Sequence, residues 1–171
     1  MSNVNGSAAV VHFGAVTDTY DLSSFNLKAP PLGTIWPITD ADGTVRKYRF
    51  VKNTSASTIA TAIAITPVVD QNNVNNVVIA PASVSGARVR GVTVASLPVN
   101  YGGWVQYHGP VTVTADASTA ITKNTGIRIG TGASAGRFQS VADATIPFVG
   151  ISLGANITAD ATGTAFLLLP D

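Results

Sequence analysis

The sequence has no cysteine and no glutamate, and little charge of either sign. Without cysteine, disulfide bridges and thiolate metal sites are excluded. All 9 acidic residues are Asp, and charged residues make up 11% of the 171. An average soluble domain carries about 25%. Long apolar runs are missing too. No stretch approaches the ~18 residues of a membrane-spanning helix, and Met1–Val11 has neither the basic start nor the apolar run of a signal peptide. His12 and His108 are the only 2 imidazoles and lack metal-ligand spacing, so neither metal nor cofactor is expected. Yet mean hydropathy is +0.31 and formal net charge only +1. A lone soluble domain normally stays dispersed through surface charge. Sparse charge with positive hydropathy therefore points to an exterior partly covered by partner subunits.

Residues 1–31 show no sustained periodicity and end at Ala29-Pro30-Pro31, where two pyrrolidine rings restrict the backbone. This segment reads as an extended N-terminal arm before a β-rich domain over 32–171. Val10, Val11, Phe13, Tyr20, Phe25 and Leu27 supply apolar side chains for docking, either on a neighbour or back on the chain's own domain.

Beyond Leu32 the pattern is strand upon strand. Gly33–Trp36, the turn Asp40–Gly43 and Thr44–Val51 predict a hairpin. Within it Arg46, Lys47, Arg49 and Lys52 alternate with Tyr48 and Phe50, as on a strand with one wet face, which argues against a nucleic-acid track. Ser55–Val69 alternates Ile/Thr with Ala, as a strand does, while its Ala content and Ser55 or Ser57 as an N-cap suit a short helix; its β-branched residues tip the reading towards strand. Val77–Ala80 is apolar. Further strands are predicted at Arg88–Ala95, Gly103–Tyr107, Pro110–Thr114, Ile127–Gly130, Ile146–Leu153 and Thr164–Leu169. No segment carries a helical stripe. The chain reads as all-β, closing into a small barrel or compact sandwich.

Enzyme motifs fail on context. Gly150-Ile151-Ser152-Leu153-Gly154 matches a nucleophile elbow, but no helix pattern follows and both histidines precede Ser152. Gly130–Gly136 is glycine-rich, yet no βαβ pattern surrounds it. Asp40 and Asp42 could pair as carboxylates, but they sit in a turn where Asp bonds locally. No catalytic residue is assigned. Aromatic residues carry the functional reading, because they dominate interface hot spots. The candidate interface set is Phe13, Tyr20, Phe25, Trp36, Tyr101, Trp104 and Tyr107. Core packing is the competing role, for Trp104 and Phe166 above all.

Two stretches repeat. Gly91–Ser96 leads through a loop to Gly103–Tyr107, and Gly150–Ala155 leads through a loop to Thr164–Leu169. Each is a glycine-led strand, a polar loop, a glycine and an aromatic-bearing strand. Together with Leu32-Gly33-Thr34, Tyr48-Arg49-Phe50-Val51, Gly102-Gly103-Trp104-Val105-Gln106, Gly109–Val113 and Phe148–Leu153, this order resembles the head decoration, or cement, proteins of tailed bacteriophages. The resemblance covers most of Leu32–Leu169. It implies a small β-barrel or β-tulip-like fold, a homotrimer on the outer capsid surface of the virion, and the major capsid protein as partner. From the absence of long apolar runs and of a basic track, neither a membrane nor a nucleic-acid partner is expected. A β-rich host-recognition or carbohydrate-binding module is the alternative, and glycan binding would discriminate the two.

Overall fold

The computed structural model describes residues 14–24, 28–68, 74–81, 89–130, 134–141 and 149–169. Among these there is no helix. The strands are β1 (Thr19–Asp21), β2 (Ile35–Thr39), β3 (Val45–Asn53), β4 (Ala64–Pro67), β5 (Asn76–Ile79), β6 (Gly91–Thr93), β7 (Tyr101–Thr114), β8 (Gly126–Ile129), β9 (Phe138–Ser140), β10 (Gly150–Ser152) and β11 (Thr162–Leu168). The all-β expectation holds.

The β2–β3 hairpin forms as the turn chemistry predicts. The Asp42 carboxylate accepts the Thr44 N–H at 2.9 Å, and Asp40 pairs with Arg46 at 2.9 Å. The expected wet face of β3 is a correction, however. Tyr48 to Val51 are all buried, because β3 is covered on both sides. Its cations are used within the chain: the Arg49 guanidinium lies 5.0 Å above the Tyr107 ring, and Lys52 Nζ donates to the Leu22 carbonyl at 3.1 Å.

Ser55–Val69 becomes a strand only in its last part, β4. Ala62 sits at φ 63°, a left-handed turn conformation that interrupts extended chain. Gly103–Tyr107 and Pro110–Thr114 were expected as separate strands. They are one, β7, bent at its middle. Gly109 adopts φ 90°, and a Cβ there would lie 2.6 Å from the Val45 carbonyl oxygen. The buried Gln106 amide secures the bend, donating to the carbonyls of His108 at 3.0 Å and Pro110 at 2.8 Å. Pro110 lies past the last β3 pair, where its missing N–H costs no ladder bond to β3.

That bend divides the molecule. Up to His108, β7 pairs with β3; from His108 onward it pairs with β11. Strands β3, β5, β4, β6 and β7 close a first ring. Strands β7, β11, β10, β8 and β9 make a second, closed by a parallel bridge from Phe138 to Ala115. The ring closure expected of a small barrel thus occurs twice, with β7 shared.

The rings are copies of one plan, down to their turns. An Ile59–Leu97 bridge in the first matches Ile121–Ile157 in the second. Ala62 and Asn100, at positive φ, match Asn124 and Asp160. The Thr93 hydroxyl donates to the Ala60 carbonyl at 2.6 Å and accepts the Ile63 N–H at 3.1 Å. Ser152 does the same with the Thr122 carbonyl at 2.6 Å and the Thr125 N–H at 3.3 Å. The repeat visible in sequence at Gly91 and Gly150 is the end of this larger duplication. Apolar side chains fill each ring: Val51, Ile59, Ile65, Val77, Leu97 and Val105 in the first, Val113, Ile121, Ile127, Phe138, Ile157 and Leu167 in the second. Ala64, Ala80 and Val92 of the first join the second core, making one continuous seam.

Candidate interface

Side chains alternate across each strand, so every ring has an outer face whose residues decide what can lie on it. On the first ring that face is aromatic. Phe50 and Trp104 are direct cross-strand partners, their rings 5.3 Å apart and edge-to-face. Tyr48 joins them. An uncovered Phe–Trp pair would leave several hundred Å² of apolar surface in water. The chain covers it with its own N-terminal residues. Strand β1 pairs with β7 through Thr19–Gly103, Tyr20–Gly102 and Asp21–Tyr101. Val16, Tyr20, Leu22, Ala29, Leu32, Trp36 and Ile38 all pack on the cluster. Burial here and the neighbouring Asp18 carboxylate raise the Tyr20 phenol above its ordinary pKa, and burial raises that of Tyr48.

This changes the reading of residues 1–31. Their described part, 14–24 and 28–31, lies against the chain's own first ring instead of reaching outward. Apolar contacts run without a break through Ala29, Leu32 and Trp36.

Of the candidate interface residues, Phe13 and Phe25 lie outside the described residues. Tyr20, Trp36 and Trp104 are brought together, Trp36 lying 5.3 Å from Trp104, but as an internal cluster. Trp104 is 3% exposed and Tyr107 1%. Both are therefore corrected to core residues: Trp104 lies beneath the cover, and the Tyr107 ring lies beneath the Arg49 guanidinium of β3. Tyr101 is half-buried against the first core.

The outer face of the second ring is different. The positions matching Phe50 and Trp104 are Thr112 and Thr164, again direct partners, and both are exposed. Beside them Ile151 is 37%, Leu153 36% and Leu168 48% exposed. Ile151 pairs with the half-buried Phe166, whose ring meets His108 edge-on at 5.5 Å. Asp160 is the sole charged residue between 149 and 169. Sequence reasoning missed this face, although the alternation Ile151, Leu153 and Phe166, Leu168 marks it.

The residues suspected of chemistry have structural roles. Ser152 is buried, its hydroxyl engaged by Thr122 and Thr125. Asp42 is held below the usual carboxylate range by the Thr44 N–H and hydroxyl. No three His, Cys, Asp or Glu side chains gather among the described residues.

No family model matches the sequence, and no curated protein does. Among solved structures, the fold is similar to the N base of head fiber gp8.5 in bacteriophage phi29, with a TM-score of 0.50 and 10% identity, over 71% of this chain and 94% of that one. At this identity the likeness is one of fold.

Proposed function

We propose that this chain is a structural protein of a phage head, a homotrimer bound to the outer capsid surface that cements neighbouring major capsid subunits. The observation that carries the reading is a fold in common with the base of a phage head fiber, across most of both chains. Two features agree with it. The chain is poor in charge, and the second ring presents exposed apolar side chains, as subunits built for assembly do. The mechanism is additive area: trimerisation makes each later capsid contact intramolecular and raises avidity without new contacts. The role is not enzymatic, and Ser152 has only the structural duty described above. The carbohydrate-binding alternative needs exposed aromatic platforms. Among the described residues, the Trp36 ring packs against Trp104 and the Tyr20 ring against Phe50, and Tyr107 is buried.

The test is co-sedimentation of purified protein with emptied, expanded heads from which it has been stripped. Saturable binding at a fixed ratio to capsid subunits, with a higher shell-rupture temperature, is the expected result. Absence of binding, or sedimentation equilibrium showing a 17.4 kDa monomer both free and on heads, would overturn it.

A further inference from the structure

The duplication exposes an asymmetry at one strand edge. In the first ring, β6 bonds to β7 at Val105 and Gln106, and β1 occupies the same edge at Tyr101–Gly103. In the second ring, β10 bonds to β11 at Ala165–Leu167, while the counterpart stretch Ala161–Gly163 has no strand on that edge among the described residues. An open groove of about 340 Å³ lies there, between Leu153–Ile157 and Thr162–Thr164. Its floor repeats the first ring's: a Cβ on Gly103 would meet Leu97 at 2.8 Å and Thr19 of β1 at 3.5 Å, and a Cβ on Gly163 would meet Ile157, the counterpart of Leu97. Free strand edges are normally guarded by Lys, Pro or inward-facing charge. None of the groove residues is Lys, Arg, Asp, Glu or Pro.

We propose that this groove takes up residues 1–13 of a second copy of the chain as an added strand, so that each copy gives one segment and receives one. This rests on the homotrimer reading above. Three observations select the occupant. The equivalent edge of the first ring is already filled by N-terminal chain, β1. Residues 1–13 contain no Lys, Arg, Asp or Glu, and Ala8-Ala9-Val10-Val11-His12-Phe13 suits an uncharged apolar groove. The segment leaves the described chain at Gly14, on the first ring. Extended, it reaches roughly 45 Å, against a radius of gyration of about 15 Å for a domain this size, enough to arrive on a neighbour. One-way exchange of this kind is heterologous, and it makes a cyclic oligomer where the rotation between copies closes.

The chain lacks cysteine, so disulfide trapping is clean. Cysteine is placed at each of positions 8–13 in turn, for example Val11→Cys, and these variants are mixed with Thr164→Cys, all in the full-length chain. Under mild oxidation the mixture should give a linked pair of different chains at one or two adjacent alternate positions, and neither variant alone should. Linkage confined within single chains of a Val11→Cys/Thr164→Cys double variant would place the segment on its own copy and overturn the proposal. So would an absence of linkage at every position. A trimer that binds heads without linkage would sink this inference alone, and linkage without head binding would sink the capsid reading alone.

Discussion

The two rings share strand order, bridges and hydroxyl clamps, yet the first is wrapped by its own chain and the second, among the described residues, is uncovered. The difference resides in two cross-strand pairs at matching positions, Phe50–Trp104 and Thr112–Thr164. Interior residues are interchangeable in kind, Val51 for Val113 and Leu97 for Ile157, because both rings need the same filling. The outward residues are free to differ, and they determine what each ring associates with. An aromatic pair demands a cover, which Tyr20 and Leu22 supply. A threonine pair tolerates water, and the neighbouring Ile151, Leu153 and Leu168 stay exposed; in the function proposed above, other subunits cover them.

The harshest way to break this comparison is to remove the cover. Deleting residues 1–24 strips Val16, Tyr20 and Leu22 from the aromatic cluster, at about 1.5–3 kcal/mol per buried apolar side chain. The thermal midpoint should fall by roughly 10–20 °C, at about 2–4 °C per kcal/mol for a chain of this size. Deleting residues 1–13 should leave the free chain's midpoint nearly unchanged. Scanning calorimetry on both truncations checks this, and equal midpoints would mean that the cover contributes little.

Next in size is a matched substitution. Trp104→Ala should cost about 3–5 kcal/mol in urea unfolding, whereas Thr164→Ala, the same position in the second ring, should stay within about 0.5 kcal/mol. Where the rings agree, substitutions should agree as well. Thr93→Val and Ser152→Ala each remove one buried hydroxyl that bridges a carbonyl and an N–H, so each should cost about 1–2 kcal/mol. A cost at only one of them would show the hydroxyl clamps to be unequal.

The smallest effect is acid sensitivity. Asp21 is held below the ordinary carboxylate range by the Ser23 hydroxyl and N–H, and Asp42 by the Thr44 N–H and hydroxyl. A folded pKa below the unfolded one gives stability that is complete above the unfolded value, about 3.9 for Asp. That contribution disappears as pH falls through the folded value. Asp21→Asn and Asp42→Asn should each flatten the decline in thermal midpoint below pH 4, followed by calorimetry across that range.

The sequence made the all-β class legible, together with the Asp40–Gly43 hairpin and the tail of the duplication at Gly91 and Gly150, since alternation and turn residues act locally. The bend in β7 was hidden because His108-Gly109-Pro110 has the chemistry of a turn. It stays extended through long-range partners, β3 on one side and β11 on the other. Strand β1 was hidden because Thr19–Asp21 is too short for a period to show. Trp104 and Tyr107 were weighed as surface anchors because aromatics serve cores and interfaces alike; Trp104 is buried by a cover distant in sequence, and Tyr107 lies beneath Arg49 of another strand. The exposed face at Ile151 and Leu168 was present as alternation, but only comparison with the first ring shows that it lacks a cover among the described residues.

Hydrogen exchange, followed residue by residue in the free protein and in its assembled form, tests the central claim most directly. The account predicts that β1 and the Tyr101–Gly103 edge are protected in both states, while the backbone between 153 and 164 gains protection only on assembly. Protection of 153–164 already complete in the free chain, or no gain there on assembly, would contradict it.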